Sequence, residues 1–226
     1  EGGHPTHDEQ VSANEYVNGF CIHCGGYQPA TDTDGDGYLE IGNAGQLYWY
    51  AAFINAGNSA NVELTAHIVD NENVLDANGN LNVDPAALRQ WTPIGTSNTG
   101  YGTSVFQGNG YTISGLYAKG YGVGFIGYTK EHAKIYNLGI LDSYFENTGY
   151  ATGAIVGAFH SYGLEMANCF SNATIAGNTY LAGGLVGTAN SYPNITNCYY
   201  FGKTVGSPIF GTNFSLINTS SKNYYV

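Results

Sequence analysis

The C-terminal half of the chain repeats itself at a fixed step. Gly124-Phe125-Ile126-Gly127 returns as Ala154-Ile155-Val156-Gly157 and again as Gly184-Leu185-Val186-Gly187, so the closing glycines fall 30 residues apart both times. A second mark keeps the same beat: Ile135-Tyr136-Asn137, Met166-Ala167-Asn168-Cys169 and Ile195-Thr196-Asn197-Cys198. Self-similarity at such a period specifies stacked coils, each burying its apolar face on its neighbours. A coil of this length is expected to hold three short strands joined by turns. Parallel, in-register stacking pairs each strand with the coil above and below, at about 4.8 Å per step. Ile126, Ile155, Val156, Leu185 and Val186 then form an inward apolar column. The glycines suit sharp turns or close packing. Asn137, Asn168 and Asn197 are predicted to stack as a ladder, their amides satisfying turn backbone groups.

Three regions precede or contain these repeats. Residues 1–30 lack a hydrophobic period and read as a small Cys/His segment. Residues 31–90 hold an acidic loop, one helix and a lead-in strand. The helix is expected over 43–56, with Leu47, Tyr50, Ala51 and Ile54 on one face, Asn43 as N-cap and Gly57 as its stop. A strand is expected over Val62–Val69. An Asn/Asp-rich loop with a helical turn near Pro85–Leu88 should follow. Residues 91–226 alternate short β-prone pieces with Gly/Asn/Ser turns. An exposed coil end is a sticky edge, and the helix is the candidate for its N-terminal cap.

Charge narrows the partners. Six basic against 17 acidic residues leave a formal charge of −11. Nucleic acid needs basic clusters that this chain does not have, and an anionic membrane surface is disfavoured for the same reason. No apolar run approaches the roughly 20 residues that span a bilayer, so no membrane insertion is expected within this segment. The chain does not begin with Met and reads as a processed or truncated piece. Low Lys, high Tyr/Asn/Thr and the repeats suggest an exported protein, secreted or at the cell surface.

The repeat units resemble the GLUG motif, named for a Gly-Leu-X-Gly signature. Gly184-Leu185-Val186-Gly187 matches it outright, Gly124-Phe125-Ile126-Gly127 with Phe for Leu, while Ala154-Ile155-Val156-Gly157 departs at the first Gly. Upstream, Asp36–Ile41, Gln46–Ala51, Leu64–Ile68, Trp91–Gly95 and Gly108–Tyr117 follow in the order found in bacterial surface proteins of this kind. The resemblance covers roughly residues 36–205. It implies an all-β fold, a right-handed parallel β-helix (solenoid), here with an N-terminal capping α-helix, on a bacterial surface or secreted protein. Such repeats accompany adhesins and immunoglobulin-cleaving metallopeptidases. The peptidase chemistry does not transfer, because Glu131-His132 is not followed by the second His of His-Glu-x-x-His.

Two segments have metal-ligand spacing. Asp32, Asp34 and Asp36 alternate ahead of Gly37, the Tyr38 carbonyl and Glu40, the first part of a calcium loop. Asn43 stands where a bidentate Glu would close it, so weak extracellular-type binding or a plain acidic turn are both open. Asp76, Asn78 and Asn80 look similar but lack glycine at the sixth place, and read as a turn. Cys21-x-x-Cys24-Gly resembles a zinc knuckle, with His4 and His7 as the remaining ligands; a local Cys21–Cys24 disulfide is the alternative. Cys169 and Cys198 occupy equivalent repeat positions. In-register side chains point the same way, which favours an unbonded cysteine ladder over a disulfide.

No organic cofactor is expected, and any calcium or zinc would be structural. The repeat-region acids Glu131, Asp142, Glu146 and Glu165 recur at no spacing that pairs two of them on one face. The expected role is therefore non-catalytic: an adhesin or spacer module binding host or matrix glycan or protein. The alternative is a carbohydrate-active domain, either polysaccharide-binding or a weak depolymerase. Tyrosines strewn from Tyr101 to Tyr150 offer a candidate sugar-stacking flank or ordinary solenoid surface.

Overall fold

A computed structural model describes residues 15–159, 163–189, 193–211 and 224–225. The described chain opens with a hairpin, β1 (Tyr16–Val17) and β2 (Phe20–Cys21), whose antiparallel pairing matches Tyr16 with Cys21. Asn18 and Gly19 both have positive φ, the turn that two-residue hairpins favour. Next come β3 (Tyr38–Ile41), α1 (Ala44–Asn55), β4 (Asn61–Leu64) and β5 (Ile68–Val69). A 3-10 turn at Pro85–Ala87 interrupts the long connection that follows.

Coils then repeat. The first regular one is β6 (Val105–Gln107), β7 (Thr112–Ser114), β8 (Tyr117–Gly120) and β9 (Ile126–Thr129). The second is β10 (Lys134–Tyr136), β11 (Gly139–Leu141), β12 (Tyr144–Asn147) and β13 (Val156–Phe159). The third is β14 (Glu165–Ala167), β15 (Phe170–Ser171), β16 (Thr174–Gly177) and β17 (Val186–Ala189). β18 (Asn194–Thr196) and β19 (Tyr199–Tyr200) begin another, and β20 (Tyr224–Tyr225) pairs beyond β19.

Equivalent strands build four parallel sheets, in the orders β18-β14-β10-β6-β4-β3, β20-β19-β15-β11-β7-β5, β16-β12-β8 and β17-β13-β9. The chain is a parallel β-solenoid. Two of its sheets begin with the lead-in strands β3, β4 and β5, well before Trp91, and the other two begin with β8 and β9. Isolated parallel bridges from Gln90 to Tyr117, Ile94 to Ile126 and Tyr101 to Thr129 complete a looser early turn.

Each regular coil carries four strands, not the three expected from its length. The reason lies at one corner. Only Asn137 and Leu138 separate β10 from β11, and Asn137 sits in the left-handed region at φ 54°. One such residue turns the chain abruptly, so an apparently continuous β-prone segment enters two sheets. The expected single strand at 62–69 divides at a bend over Thr65 and Ala66 into β4 and β5, which join different sheets.

The core is a set of columns running along the stack. Ile94, Ile126, Val156, Val186 and Phe210 succeed one another through paired backbone. Val62, Phe106, Ile135, Met166 and Ile195 do the same in the neighbouring sheet. The five predicted inward residues, Ile126, Ile155, Val156, Leu185 and Val186, are fully buried. Burying a side chain of this size contributes about 1.5–3 kcal/mol. Gly127, Gly157 and Gly187 are not left-handed turn residues. They let adjoining backbones approach.

Helix α1 forms where expected and covers the core at the N-terminal end. Asn43 Oδ1 accepts from Gln46 N at 2.9 Å, and Gln46 Oε1 accepts from Gly42 N at 2.8 Å, a reciprocal cap. Leu47, Tyr50, Ala51 and Ile54 are buried, and Tyr50 meets Phe106 edge-on. Gly57, at φ 93°, follows the end of the helix. The hairpin docks on its first turn: Gly45 N donates to Asn18 O at 2.9 Å. A Cβ on Gly45 would lie 1.8 Å from Gly19 O, which explains a glycine inside a helix.

The asparagine ladder forms, with different partners from those expected. Asn168 Nδ2 donates to Asn137 Oδ1 at 2.9 Å, and Asn197 Nδ2 donates to Asn168 Oδ1 at 2.7 Å. Asn137 Nδ2 continues to Gln107 Oε1 at 2.8 Å. The amides thus bond one another, because in-register stacking puts them one coil rise apart. All three asparagines have φ between 53° and 56°. Two properties are therefore separable. Asn168→Gly keeps the backbone and loses two amide hydrogen bonds, an expected loss of about 1–2 kcal/mol. Asn168→Ala adds left-handed strain of about 1–2 kcal/mol. Urea unfolding should rank the alanine variant below the glycine variant; the reverse order would show that the backbone conformation is not the constraint.

Candidate functional site

The acidic loop lies exposed just before β3. Asp32 Oδ1 accepts from Gly35 N at 2.7 Å and Asp32 Oδ2 from Gly37 N at 3.0 Å. Asp34 Oδ1 accepts from Asp36 N at 3.1 Å, and Asp36 Oδ1 from Tyr38 N at 2.9 Å. Glu40 reaches back from β3 to Thr33, whose N and Oγ1 donate at 2.9 Å and 2.8 Å. Those bonds hold the Glu40 carboxyl below its ordinary pKa. The fold brings Asp32, Asp34 and Glu40 together, one carboxylate oxygen of each lying within 4.8 Å of the others. Asp36 stands outside that group. Three hard oxygens at this separation suit a hard cation such as calcium. Asp76 behaves as a turn, its Oδ1 accepting from Asn78 N and Asn80 N, each at 2.8 Å.

The cysteine segment closes tightly. Gly25 N donates to Cys21 O at 3.0 Å, Cys21 N donates to Gly26 O at 2.8 Å, and Phe20 bridges to Tyr27. Both thiols are free, Cys21 buried and Cys24 exposed. The adjoining Cys24 thiol and its backbone N–H hold Cys21 below its ordinary pKa. Two sulfurs on one side of a tight turn are half of a tetrahedral set. His4 and His7 lie outside the described residues. His23 is turned toward Glu15, at 4.0 Å.

Cys169 and Cys198 are buried, unbonded neighbours, with Cys169 N donating to Cys198 Sγ at 3.4 Å. Each thiol also donates to a backbone oxygen two residues back, Ala167 O and Thr196 O, at 3.3 Å.

The tyrosines stack on one another. Tyr121 and Tyr150 lie 4.8 Å apart at 12°, Tyr128 and Tyr150 6.3 Å apart at 15°, and Tyr117 and Tyr144 6.1 Å apart at 19°. The spacing of about one coil rise matches ring stacking. Stacking covers one face of each of these rings, while Tyr121 stays 63% exposed.

The repeat acids are dispersed. Glu146 pairs with Lys119 at 2.8 Å. Asp142 Oδ1 accepts from Asn172 Nδ2 at 3.2 Å. Glu165 lies beside Tyr136, whose hydroxyl pKa is pushed up to about 12, first by burial and then by that carboxylate. Glu131 borders a groove of about 420 Å³ with Lys130, Gly57 and Asn58 near the C-terminal end of α1.

One polar centre was not legible in the sequence. Asp70 is buried, and its Oδ1 accepts from Arg89 Nη1 at 3.0 Å while its Oδ2 accepts from the Tyr48 hydroxyl at 2.8 Å. The guanidinium also lies 3.8 Å from the Phe20 ring centroid. Hairpin, helix and loop meet there. The only hint was a single arginine in the whole chain.

Comparison with family models, with curated proteins and with solved structures gave no match.

Proposed function

We propose that this chain is a non-catalytic module of an exported bacterial surface protein, a rigid solenoid that spaces or presents a binding flank for glycan or protein. The dispersal of the repeat acids carries this reading. Glu131, Asp142, Glu146 and Glu165 occupy separate segments, and the last three have separate polar partners. Acid–base hydrolysis of a glycosidic bond needs two carboxyls about 5–9.5 Å apart across a substrate. The GLUG-like repeats agree with a surface role. Among the described residues no helix is long and apolar enough to cross a membrane.

One incubation tests the reading. The protein is mixed with host and plant polysaccharides, mucin and matrix proteins, and both retention and released product are measured. Retention without product is the expected result. Product release would favour a carbohydrate-active domain and make the four acids the first residues to replace.

The two metal segments are proposed as structural. Calcium at Asp32, Asp34 and Glu40 would bind weakly, with Kd on the order of 10⁻⁴ to 10⁻³ M. Ten millimolar calcium (~10 mM) is then expected to raise the thermal midpoint by a few degrees, and Asp34→Ala to remove that rise. An unchanged midpoint would leave the loop as a hydrogen-bonded acidic turn. Zinc at Cys21 and Cys24, completed by His4 and His7, predicts stoichiometric metal in protein purified without chelator. Metal-free protein with intact thiols would remove zinc from the reading.

A further inference from the structure

The connection between β5 and the first regular coil does more than link them. Its residues 75–81 run across the outside of the later coils as a strap. Thr174 Oγ1 donates to Gly79 O at 2.6 Å, and Lys203 Nζ donates to Asn80 Oδ1 at 2.6 Å. Between strap and solenoid lies a cleft of about 420 Å³, bordered by Asp142, Asn172, Phe201, Gly202 and Lys203. That volume falls within the range of small-molecule sites, about 300–1,000 Å³.

The chemistry of the cleft is specific. Phe201 is 40% exposed; Tyr199 stacks against it at 5.6 Å, and the ring borders the cleft. Unlike the tyrosine row, it belongs to a site with polar groups around it. Asp142 and Asn172 are locked together, since Asp142 N donates to Asn172 Oδ1 at 2.7 Å while Asn172 Nδ2 donates to Asp142 Oδ1 at 3.2 Å. That pairing holds the exposed carboxylate in place and leaves it acceptor capacity. Lys203 uses one donor on the strap and has others. Gly202 lets this coil pack closely on the one before it, for a Cβ there would lie 2.2 Å from Ala173 O. The strap's own acid is engaged, as Asp76 accepts from Asn78 and from Asn80.

We infer that this cleft is a subsite for a neutral pyranose of a glycan chain. The inference rests on the glycan-binding form of the function proposed above. An apolar ring, a carboxylate, an amide and an ammonium together match one sugar ring. Its C–H face packs on Phe201, a hydroxyl donates to Asp142, and another accepts from Lys203. Asp142 and the formal charge of −11 set the preference against uronates and other acid sugars.

Calorimetry on the full chain tests this with neutral gluco-, galacto- and manno-oligosaccharides and matched oligouronates. The expected result is binding of a neutral oligomer, weakened at least about tenfold in Phe201→Ala, the scale of a lost aromatic contact. Asp142→Asn, which tolerates the φ of 45° at that position, should weaken it similarly. Both variants should still unfold cooperatively, Phe201→Ala with a midpoint lowered by no more than a few degrees for its lost Tyr199 contact, and Tyr121→Ala should bind as the parent does. Chemical-shift changes at Phe201 and Lys203 give a readout that needs no variant. Neutral-oligomer binding untouched by both substitutions would overturn the subsite and leave the glycan-binding flank standing. Preference for uronates, or no binding of any neutral oligomer, would also overturn it. The wider reading would then be decided by retention on mucin and matrix proteins.

Discussion

Gly187→Ala is expected to lower the thermal midpoint by roughly 10 °C, and Gly187→Val to prevent a cooperative transition altogether. A Cβ at this position would lie 2.4 Å from both Gly157 O and Thr152 N. Those are backbone atoms of the preceding coil, held in place by their own inter-coil bonds. A flexible side chain could swing aside, whereas this backbone must move as a sheet. Overpacking of a rigid core costs about 1–3 kcal/mol, and more where nothing yields. For a chain of this size each kcal/mol lowers the midpoint by about 2–4 °C. Gly120→Ala is the control. Its added Cβ would meet only a Val123 methyl, at 3.3 Å, so little change is expected. Equal effects at the two positions would mean that close backbone approach is not what the repeated glycine secures.

Arg89→Ala should destabilise the protein by on the order of 3 kcal/mol at neutral pH. That is the low end for breaking a buried ion pair, because the Arg89 side chain is itself 41% exposed while the Asp70 side chain is fully covered. The substitution leaves an uncompensated carboxylate against Tyr48 and also removes the cation from the Phe20 ring. Asp70→Asn in the same background should recover part of the loss, since a neutral amide tolerates burial better. The pH dependence has a defined sign. Burial raises the Asp70 pKa above its ordinary value, against the pull of Arg89 and Tyr48. The folded state therefore binds this proton more tightly than the unfolded one. The contribution is fully present below the ordinary carboxylate pKa of about 4 and declines as pH rises through the raised value. Without Arg89 the raise is larger, so the deficit of Arg89→Ala should be smaller near pH 4 than at pH 7. A pH-independent deficit would assign the effect to lost packing on Phe20.

Gly187 and Arg89 both act through contacts between segments far apart in the chain, which no local sequence pattern marks. The helix was readable because its signals are local. Asn43, the Leu47–Ile54 face and Gly57 lie within a few turns of one another, and the observed Ala44–Asn55 departs by one residue at each end. Four strands per coil were not readable, because a left-handed asparagine between two β-prone pieces leaves no gap in hydrophobicity. Among the candidate sites, the grouping of Asp32, Asp34 and Glu40 follows from alternation within one loop. The Asp142–Phe201–Lys203 cleft has no such local mark. The residues that close it sit on the strap, with the Gly79–Thr174 contact spanning 95 residues and the Asn80–Lys203 contact 123.

Sequence alone determined the coil period, the in-register stacking, the inward columns and the capped helix. Each follows from a pattern that a residue shares with neighbours one turn or one coil away, and periodic hydrophobic burial enforces that pattern wherever it recurs. Tertiary structure alone decided the corner that makes each coil four-stranded, the docking of the hairpin on Gly45, the Asp70–Arg89–Tyr48 centre and the path of the strap. These depend on which non-repeating segments come to lie on the finished solenoid. Backbone sterics and polar satisfaction settle that choice, and both act only once the coils have stacked.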